Sequence, residues 1–486
     1  VNEQPVVVVG AGPAGLATAI TLARSGIGVR LLERRTAGFT APRATVVSLR
    51  SMEVLRSWGL EDRVRAGSDR VEMTMLVMPD VARAEEGTVV DVGYPTSAHS
   101  AVLSPTEALC VAQDHLESVL LEHLSTLPLV TVERGREVVG VTADASSAVV
   151  TARDTTGRLT SYDARYVVGA DGARSAVRDA AGIRMHGQQV VYQGSRVQFH
   201  AALWQALGDH RHLLYAVTDP AASGVLLPAG QGDRWEFGVA YGSEDTDMVD
   251  PPTDTALVQR LLRATGLSRK ALRVTRFGTF SAGAQLAESF SRGPLFLVGD
   301  AAHRVTPRGG TGLNIAFADG YHLGWKMGWV LREWAPPSLL DSYESERRPA
   351  VEHNVHRSAD PAGSRRPAAA ETYVDLGGRI PHRWVAPGRS TIDLAGDGFM
   401  LLTAGDAPDL GSAPRTVALP PLATEQLDSV TAQSLGLGTT GAVLLRPDAL
   451  PVAAWSGPPS AGAVLDAAAS FLTGPRAGTV FTDTAA

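Results

Sequence analysis

The feature that most constrains this chain is its opening. Four valines, Val6 to Val9, run directly into Gly10-Ala11-Gly12-Pro13-Ala14-Gly15. A β-branched run of this length predicts a central parallel strand buried on both faces. Leu16 to Ser25 then reads as a helix stopped by Gly26, and Val29 to Leu32 as a second strand ending at Glu33. Strand, glycine turn, helix and strand make a βαβ unit. In Gly10-x-Gly12-x-x-Gly15 the first glycine makes the turn. The second lets a pyrophosphate reach the backbone, and the third lets helix and strand pack closely. Pro13 and Ala14 open the helix, whose unpaired N–H groups and positive dipole end suit phosphate. Glu33, with Arg34 beside it, can accept hydrogen bonds from both hydroxyls of an adenosine ribose. A glycine turn without a ligand is the plainer reading of the hexapeptide alone. Strand, helix and acid in register point to a dinucleotide.

Val6 to Ala23 is nearly uncharged and long enough to suggest a membrane span or signal sequence. The glycines and Pro13 in its middle, with no basic segment before it, argue for a buried strand–turn–helix instead. The 486 residues carry 44 basic and 51 acidic side chains, a net charge of −7. That balance favours neither nucleic acid nor an anionic membrane as partner. Cys110 is the single cysteine, so an internal disulfide and a cysteine metal cluster are excluded. No metal site is expected, and the reducing cytoplasm is the expected setting.

A second motif separates FAD from NAD. Leu295 to Val298 reads as a buried strand, followed by Gly299-Asp300-Ala301-Ala302-His303. An acid at the end of a distant strand suits the ribityl hydroxyls of a flavin, which NAD lacks. The alternative role for Asp300 is a helix cap. Pro307-Arg308-Gly309-Gly310-Thr311-Gly312-Leu313-Asn314 then opens a long helix over about 312–333. Its N–H groups can face a flavin pyrimidine and stabilise negative charge there. A third motif, Gly169-Ala170-Asp171-Gly172-Ala173-Arg174, follows another strand. By spacing alone it serves phosphates or caps a helix equally well.

The three motifs in this order resemble the class A flavoprotein monooxygenases, the para-hydroxybenzoate hydroxylase superfamily. The resemblance is strong over about residues 5–350. It implies an α/β fold: a Rossmann-type FAD-binding domain (1–69, 103–185 and 285–356) with an inserted, mostly antiparallel substrate-binding sheet (70–102 and 186–284). It also implies that Asp300 holds the ribityl chain, that Gly312, Leu313 and Asn314 face the pyrimidine, and that Asp171 and Gly172 lie near the pyrophosphate and the NAD(P)H route. Arg43, in Ala-Pro-Arg-Ala, and Gln113, heading its helix, resemble further FAD contacts of the family. Residues 357–370, rich in Ala, Pro and Arg, read as a linker. Residues 371–486 resemble the thioredoxin-like C-terminal domain of the polyketide and phenol hydroxylase branch. There the family's Arg-Pro-Asp-Gly turn reads Arg446-Pro447-Asp448-Ala449, and the tail has no cysteine, which excludes dithiol chemistry.

The chemistry so implied uses FAD, NADPH or NADH as transient reductant, and O2, which adds at flavin C4a before one oxygen atom passes to an electron-rich ring. The protein supplies binding, orientation and a dry site. The expected partner is a small aromatic molecule of polyketide or other secondary-metabolite type, with the chain a monomer or homodimer. Arg196, His200, Tyr215 and Trp235 are candidates for the substrate pocket. Each has a structural alternative, and no catalytic base is identifiable. Met52, Leu55 and Trp58 read as core. Epoxidation and Baeyer–Villiger insertion would use the same flavin. An NAD-dependent dehydrogenase would need no second acidic strand end. A flavin-dependent halogenase would carry Trp-x-Trp-x-Ile-Pro, which is absent. A non-enzymatic flavin-binding regulator would need no substrate pocket.

Overall fold

The computed structural model describes residues 5–38, 44–242, 250–411 and 418–473. Five parallel strands lie in the order Leu295–Leu297, Tyr166–Gly169, Val6–Val9, Val29–Glu33 and Val130–Arg134, with Ser291–Arg292 antiparallel at one edge. All four opening valines are buried, which is why that run shows no polar alternation. An antiparallel ribbon (Glu137–Ala143, Ala148–Arg153, Leu159–Ala164) turns Ala148, Val150 and Ala152 into the same core.

The helix Pro13–Arg24 packs against the long helix Gly312–Leu331. Gly320, Gly324 and Gly328 recur one turn apart and make the contact surface. A Cβ at Gly320 would lie 2.2 Å from the Ala14 carbonyl oxygen, and one at Gly324 would lie 2.7 Å from Thr21 Cβ. At Gly328 the nearest atom, on Ser25, would be 2.9 Å away. The two helices therefore approach almost backbone to backbone.

A second sheet has eight strands, in the order His303–Arg304, Arg273–Ala287, Met185–His200, Arg234–Tyr241, Gly224–Pro228, His212–Val217, Glu72–Met78 and Thr88–Asp91. Glu72–Met78 runs parallel to His212–Val217, so two distant stretches of chain share one sheet. Val197, Phe199, Tyr215, Leu226, Trp235 and Phe237 bury one face against Leu257 and Leu261 of the helix Asp254–Thr265. The opposite face turns toward the parallel-sheet domain. There the Arg234 guanidinium donates two bonds, of 2.7 and 2.8 Å, to Asp114 near the start of the helix Gln113–Ser125.

Two expectations are corrected. Residues 70–102, expected as part of the inserted sheet, also hold most of a short helix, Ser97–Leu103, capped by Thr96. At seven residues it is too brief to show an apolar period. Residues 357–370, read as a linker, are structured and only partly exposed. They are the end of the helix Asp341–Ala359, a turn, and the start of the helix Ala368–Leu376. Arg357, only 5% exposed, donates to Glu371, the Gly363 carbonyl and the Val92 carbonyl.

The C-terminal region carries a four-stranded sheet in the order Leu422–Gln426, Phe399–Thr403, Ala442–Leu445, Pro451–Trp455, followed by the helix Ala461–Thr473. The first two strands are parallel and the others antiparallel. Phe399, Leu401 and Leu444 join the main core, while Leu402, Val443 and Leu445 form a second one. Among the described residues no helix is long and apolar enough to cross a membrane.

Candidate cofactor and substrate site

Strand ends, glycine turns and two helix N-termini meet along the carboxyl edge of the parallel sheet, where open α/β sheets bind ligands. Gly10 has φ +105, and a Cβ there would sit 2.3 Å from the Ala170 carbonyl oxygen. The first glycine turn thus lies directly on the Asp171-Gly172 turn. A Cβ at Gly15 would meet the Gly10 oxygen at 2.0 Å, so helix and turn need glycine to close. At Gly12 nothing lies within 4 Å. The helix beginning at Pro13 has no side-chain cap and no acid in its first turn, so its first N–H groups point into that open space.

Glu33 is buried, and its two carboxylate oxygens accept from the Ala11 and Arg35 N–H groups, both at 2.9 Å. It pins the glycine turn to the end of the second strand. Arg34 is exposed. Asp171 accepts from the Val177 N–H with one oxygen at 3.3 Å, while its Oδ1 is buried without a partner. Burial pushes its carboxyl above the usual carboxylate range. Asp300 lies in a single turn, Gly299–Ala301, and is exposed. Gly299 has φ +60, and a Cβ there would lie 3.1 Å from both Ala14 and Ala316 side chains. The first and second motifs are therefore packed against each other.

The Pro307–Gly312 turn needs two left-handed residues, Gly309 at φ +82 and Gly310 at φ +65. The Tyr94 hydroxyl lies 3.2 and 3.1 Å from their carbonyl oxygens and holds the turn. Pro307 is exposed and Leu313 buried. The helix that starts at Gly312 has no side-chain cap. The Asn314 side chain is committed inward: it accepts from the Ser48 N–H (2.8 Å) and the Ser51 hydroxyl (2.9 Å) and donates to the Val46 carbonyl. Backbone N–H groups are what this end of the helix offers a ligand. Gln113 donates its side-chain amide to Glu117 at 2.6 Å. Arg43 falls outside the described residues.

Behind Asp300 lies a network that sequence reasoning missed. Asp319, 0% exposed, accepts from the Gly299 N–H at 3.1 Å, meets His303 Nε2 at 2.5 Å and accepts from Arg347 Nε at 2.8 Å. Burial alone would raise this carboxyl. The charges and hydrogen bonds of His303 and Arg347 outweigh it and hold the carboxyl down at about 2. A single acid in a long, mostly buried helix was the available signal.

The four pocket candidates separate by strand parity. Tyr215 and Trp235 are 0% exposed and sit on the face packed under the helix Asp254–Thr265, so they are core and do not line a pocket. Neighbouring positions on alternate faces look alike in sequence, and nothing in the run marked which face looks inward. His200 lies at a strand end, its Nδ1 3.0 Å from the Gly232 carbonyl. Arg196 is on the inner face, paired with Glu236 at 3.3 Å. Glu236 also accepts from Gln198 at 2.9 Å, and neither partner had been singled out.

Open space at Gly12, uncapped amides at two helix ends and the unpartnered Asp171 oxygen all fit a dinucleotide carrying a flavin. A model of the FAD binding domain family matches residues 3–358. The chain is 32% identical to the tetracenomycin B2 monooxygenase-dioxygenase of Streptomyces olivaceus, over 96% of this chain and 97% of that protein. It is 30% identical to a putative polyketide hydroxylase of Streptomyces halstedii, over 96% and 92%. Among solved structures, aklavinone-11 hydroxylase in ternary complex with FAD and aklavinone superposes with a TM-score of 0.85 at 26% identity. That match covers 97% of this chain and 99% of the other.

Proposed function

The chain belongs to the FAD-binding domain family and, within it, to the class A flavoprotein monooxygenases. On that premise we propose that it uses NAD(P)H and O2 to place one oxygen atom on a flat aromatic substrate of the polyketide class. The observation that carries this reading is the convergence of the glycine turn at Gly12, the Asp171 turn, the Asp300 turn and the helix end at Gly312 on one sheet edge, beside a second sheet with a half-open inner face. The relatives named above, which cover nearly the full chain, support the substrate class.

In this reading Gly12, Ala14 and Gly15 hold the pyrophosphate through backbone N–H groups, Pro13, which has none, opens the helix, and Gly10 makes the turn. Glu33 binds the ribose, Asp300 the ribityl chain, and Asp171 and Gly172 stand beside the pyrophosphate. Gly312, Leu313 and Asn314 present backbone N–H groups to the flavin pyrimidine, favouring negative charge there, while Gly310 shapes the turn, its own N–H bonded to the Pro307 carbonyl at 3.0 Å. When bound, FAD supplies the redox and oxygen-activating chemistry. The chain positions it, excludes water and orients the substrate. Strand membership supports the division into a cofactor domain (1–69, 103–185, 285–356) and a sheet domain (70–102, 186–284), apart from His303–Arg304 and the end of Arg273–Ala287, which belong to the second sheet. A parallel pair followed by two antiparallel strands and a helix supports a thioredoxin-like reading of the tail.

The test is direct. Purified protein should be yellow and release FAD on denaturation. A hydroxylated polycyclic aromatic should accelerate NAD(P)H oxidation, and labelled O2 should leave one labelled atom in the product. Label arriving only from water would refute the reaction. An epoxide or a ring-expanded lactone as product would keep the flavin chemistry and replace hydroxylation.

A further inference from the structure

The inner face of the eight-stranded sheet is unusual in what it lacks. Strand register places Arg196 opposite Gly238 on one side and opposite Gly278 on the other. The three stand in one row across three strands. A Cβ at Gly238 would find nothing nearer than the Ser195 oxygen at 3.7 Å, and one at Gly278 would first meet Arg196 Nε at 3.5 Å. The row is thus bare backbone with one guanidinium lying across it.

The adjacent row holds Gln198 opposite Glu236, with Leu227 opposite Glu236 on the next strand. Side chains two apart share a face. Glu236 therefore points the same way as Arg234, whose guanidinium reaches the cofactor domain at Asp114. Arg196 Nη1 contacts both Glu236 oxygens, at 3.3 and 3.4 Å, and the two side chains are only 19% and 13% exposed. Apolar Val225, 38% exposed, extends the glycine row.

A largely buried ion pair is weak support for a fold, since desolvation offsets most of the attraction. The sheet is already held by the aromatic core on its other face. A flat floor with almost no side chains, crossed by one guanidinium and bordered by a carboxylate, suits a particular ligand shape instead. We infer that Glu236, set in place by Arg196 and Gln198, is the recognition site for an acidic hydroxyl, phenolic or enolic, of a planar polycycle lying on the Gly278–Arg196–Gly238 floor. This rests on the aromatic-substrate reading above and adds which substituent is read and by what. The hydroxyl donates to the Glu236 carboxylate, and Arg196 stands by to stabilise negative charge on the same oxygen. Burial pushes the Glu236 carboxyl upward, and the Arg196 charge and the Gln198 and Arg196 hydrogen bonds oppose that shift.

The FAD-loaded full chain is titrated with 2-hydroxyanthraquinone, 2-methoxyanthraquinone and anthraquinone, following the flavin difference spectrum. The wild type should bind the hydroxyl compound about 10- to 100-fold more tightly than the ether, as expected for a hydrogen bond to a charged group. Glu236→Gln should bring that ratio close to one while FAD content and melting temperature hold. Gly238→Val should weaken all three compounds together. If the single variant fails to fold, Arg196→Gln/Glu236→Gln removes both charges at once and must erase the preference. Equal binding of hydroxyl compound and ether, or a preference that survives in Glu236→Gln, overturns the inference. If either result comes with normal NAD(P)H-driven oxygenation, the proposed function stands and only the hydroxyl site falls. A protein that binds none of the probes and consumes no NAD(P)H with them loses both.

Discussion

At the scale of single residues, the cofactor edge is built from acids with unequal duties. Asp300 is exposed at its strand end while Asp319 behind it is fully buried. Asp300→Ala should loosen FAD, since a charged acceptor for the ribityl hydroxyls is lost. Retention should fall by about 2–3 kcal/mol, read from FAD left after dialysis. Asp319→Asn should act on the fold first, because His303 and Arg347 lose their shared counter-charge in a buried site. A loss of about 3–5 kcal/mol is expected in urea melts at neutral pH. The acid dependence carries its own sign. A carboxyl held at about 2, below its unfolded value of about 3.8–3.9, adds stability that is complete above pH ~4. That stability is lost as pH falls through ~2. Wild-type stability should therefore drop across that window more steeply than the variant's. Parallel curves would refute the assignment. Asp300 was legible in the sequence because a strand and glycines frame it. Asp319 was not, because its three partners come from separate positions brought together by folding.

At the scale of elements, the glycine row on the long helix does what no motif announced. Gly320, Gly324 and Gly328 let the helix Gly312–Leu331 lie on Pro13–Arg24, and both helices begin at the cofactor edge. Gly324→Val would drive a Cβ into Thr21, whose Cβ and Cγ2 would stand 2.7 and 3.0 Å away. Overpacking of this kind costs roughly 1–3 kcal/mol. Because the two N-termini move apart as well, FAD content should fall even where the variant stays folded. Melting temperature and bound flavin measured on one preparation check this, and full flavin occupancy in a destabilised variant would break the link. The long helices and buried strands were legible because their periods extend over many residues. Short helices such as Ser97–Leu103 and Leu203–Leu207 were not, since they hold fewer than two full turns of pattern. The parity of Tyr215 and Trp235 failed for a related reason. Period two shows that faces alternate, but only the packed helix Asp254–Thr265 decides which one is covered.

At the scale of the whole molecule, the C-terminal region is bound to the cofactor domain by buried charge as well as apolar surface. Arg379 donates to Glu53 at 2.6 and 2.9 Å and to the Leu103 carbonyl at 2.7 Å. Ser104 and Arg50 donate to the same carboxylate. Burial would raise the Glu53 carboxyl, and the Arg379 and Arg50 charges hold it below its usual value instead. A few residues earlier, Asp375 accepts from the Ser48 hydroxyl at 2.7 Å and the Arg50 N–H at 3.1 Å. Ser48 in turn donates its N–H to Asn314 at the helix end on the cofactor edge. The tail thus reaches the start of the helix Gly312–Leu331 through Asp375 and Ser48. The sequence suggested a linker followed by a separate domain, because alanine, proline and arginine are the composition of exposed chain. Arginine carries the same letter whether solvated or, like Arg357 and Arg379, buried among carboxylates and carbonyls. Arg379→Met tests which view holds. It leaves Glu53 buried with less counter-charge, at a cost of about 3–5 kcal/mol. With Phe399, Leu401 and Leu444 inside the main core, that loss should be shared by the entire chain. Calorimetry should show one transition, displaced as a unit, with FAD released in the same step. Two transitions, of which only one moves, would mean that the tail folds on its own and that its contacts with the cofactor domain are incidental.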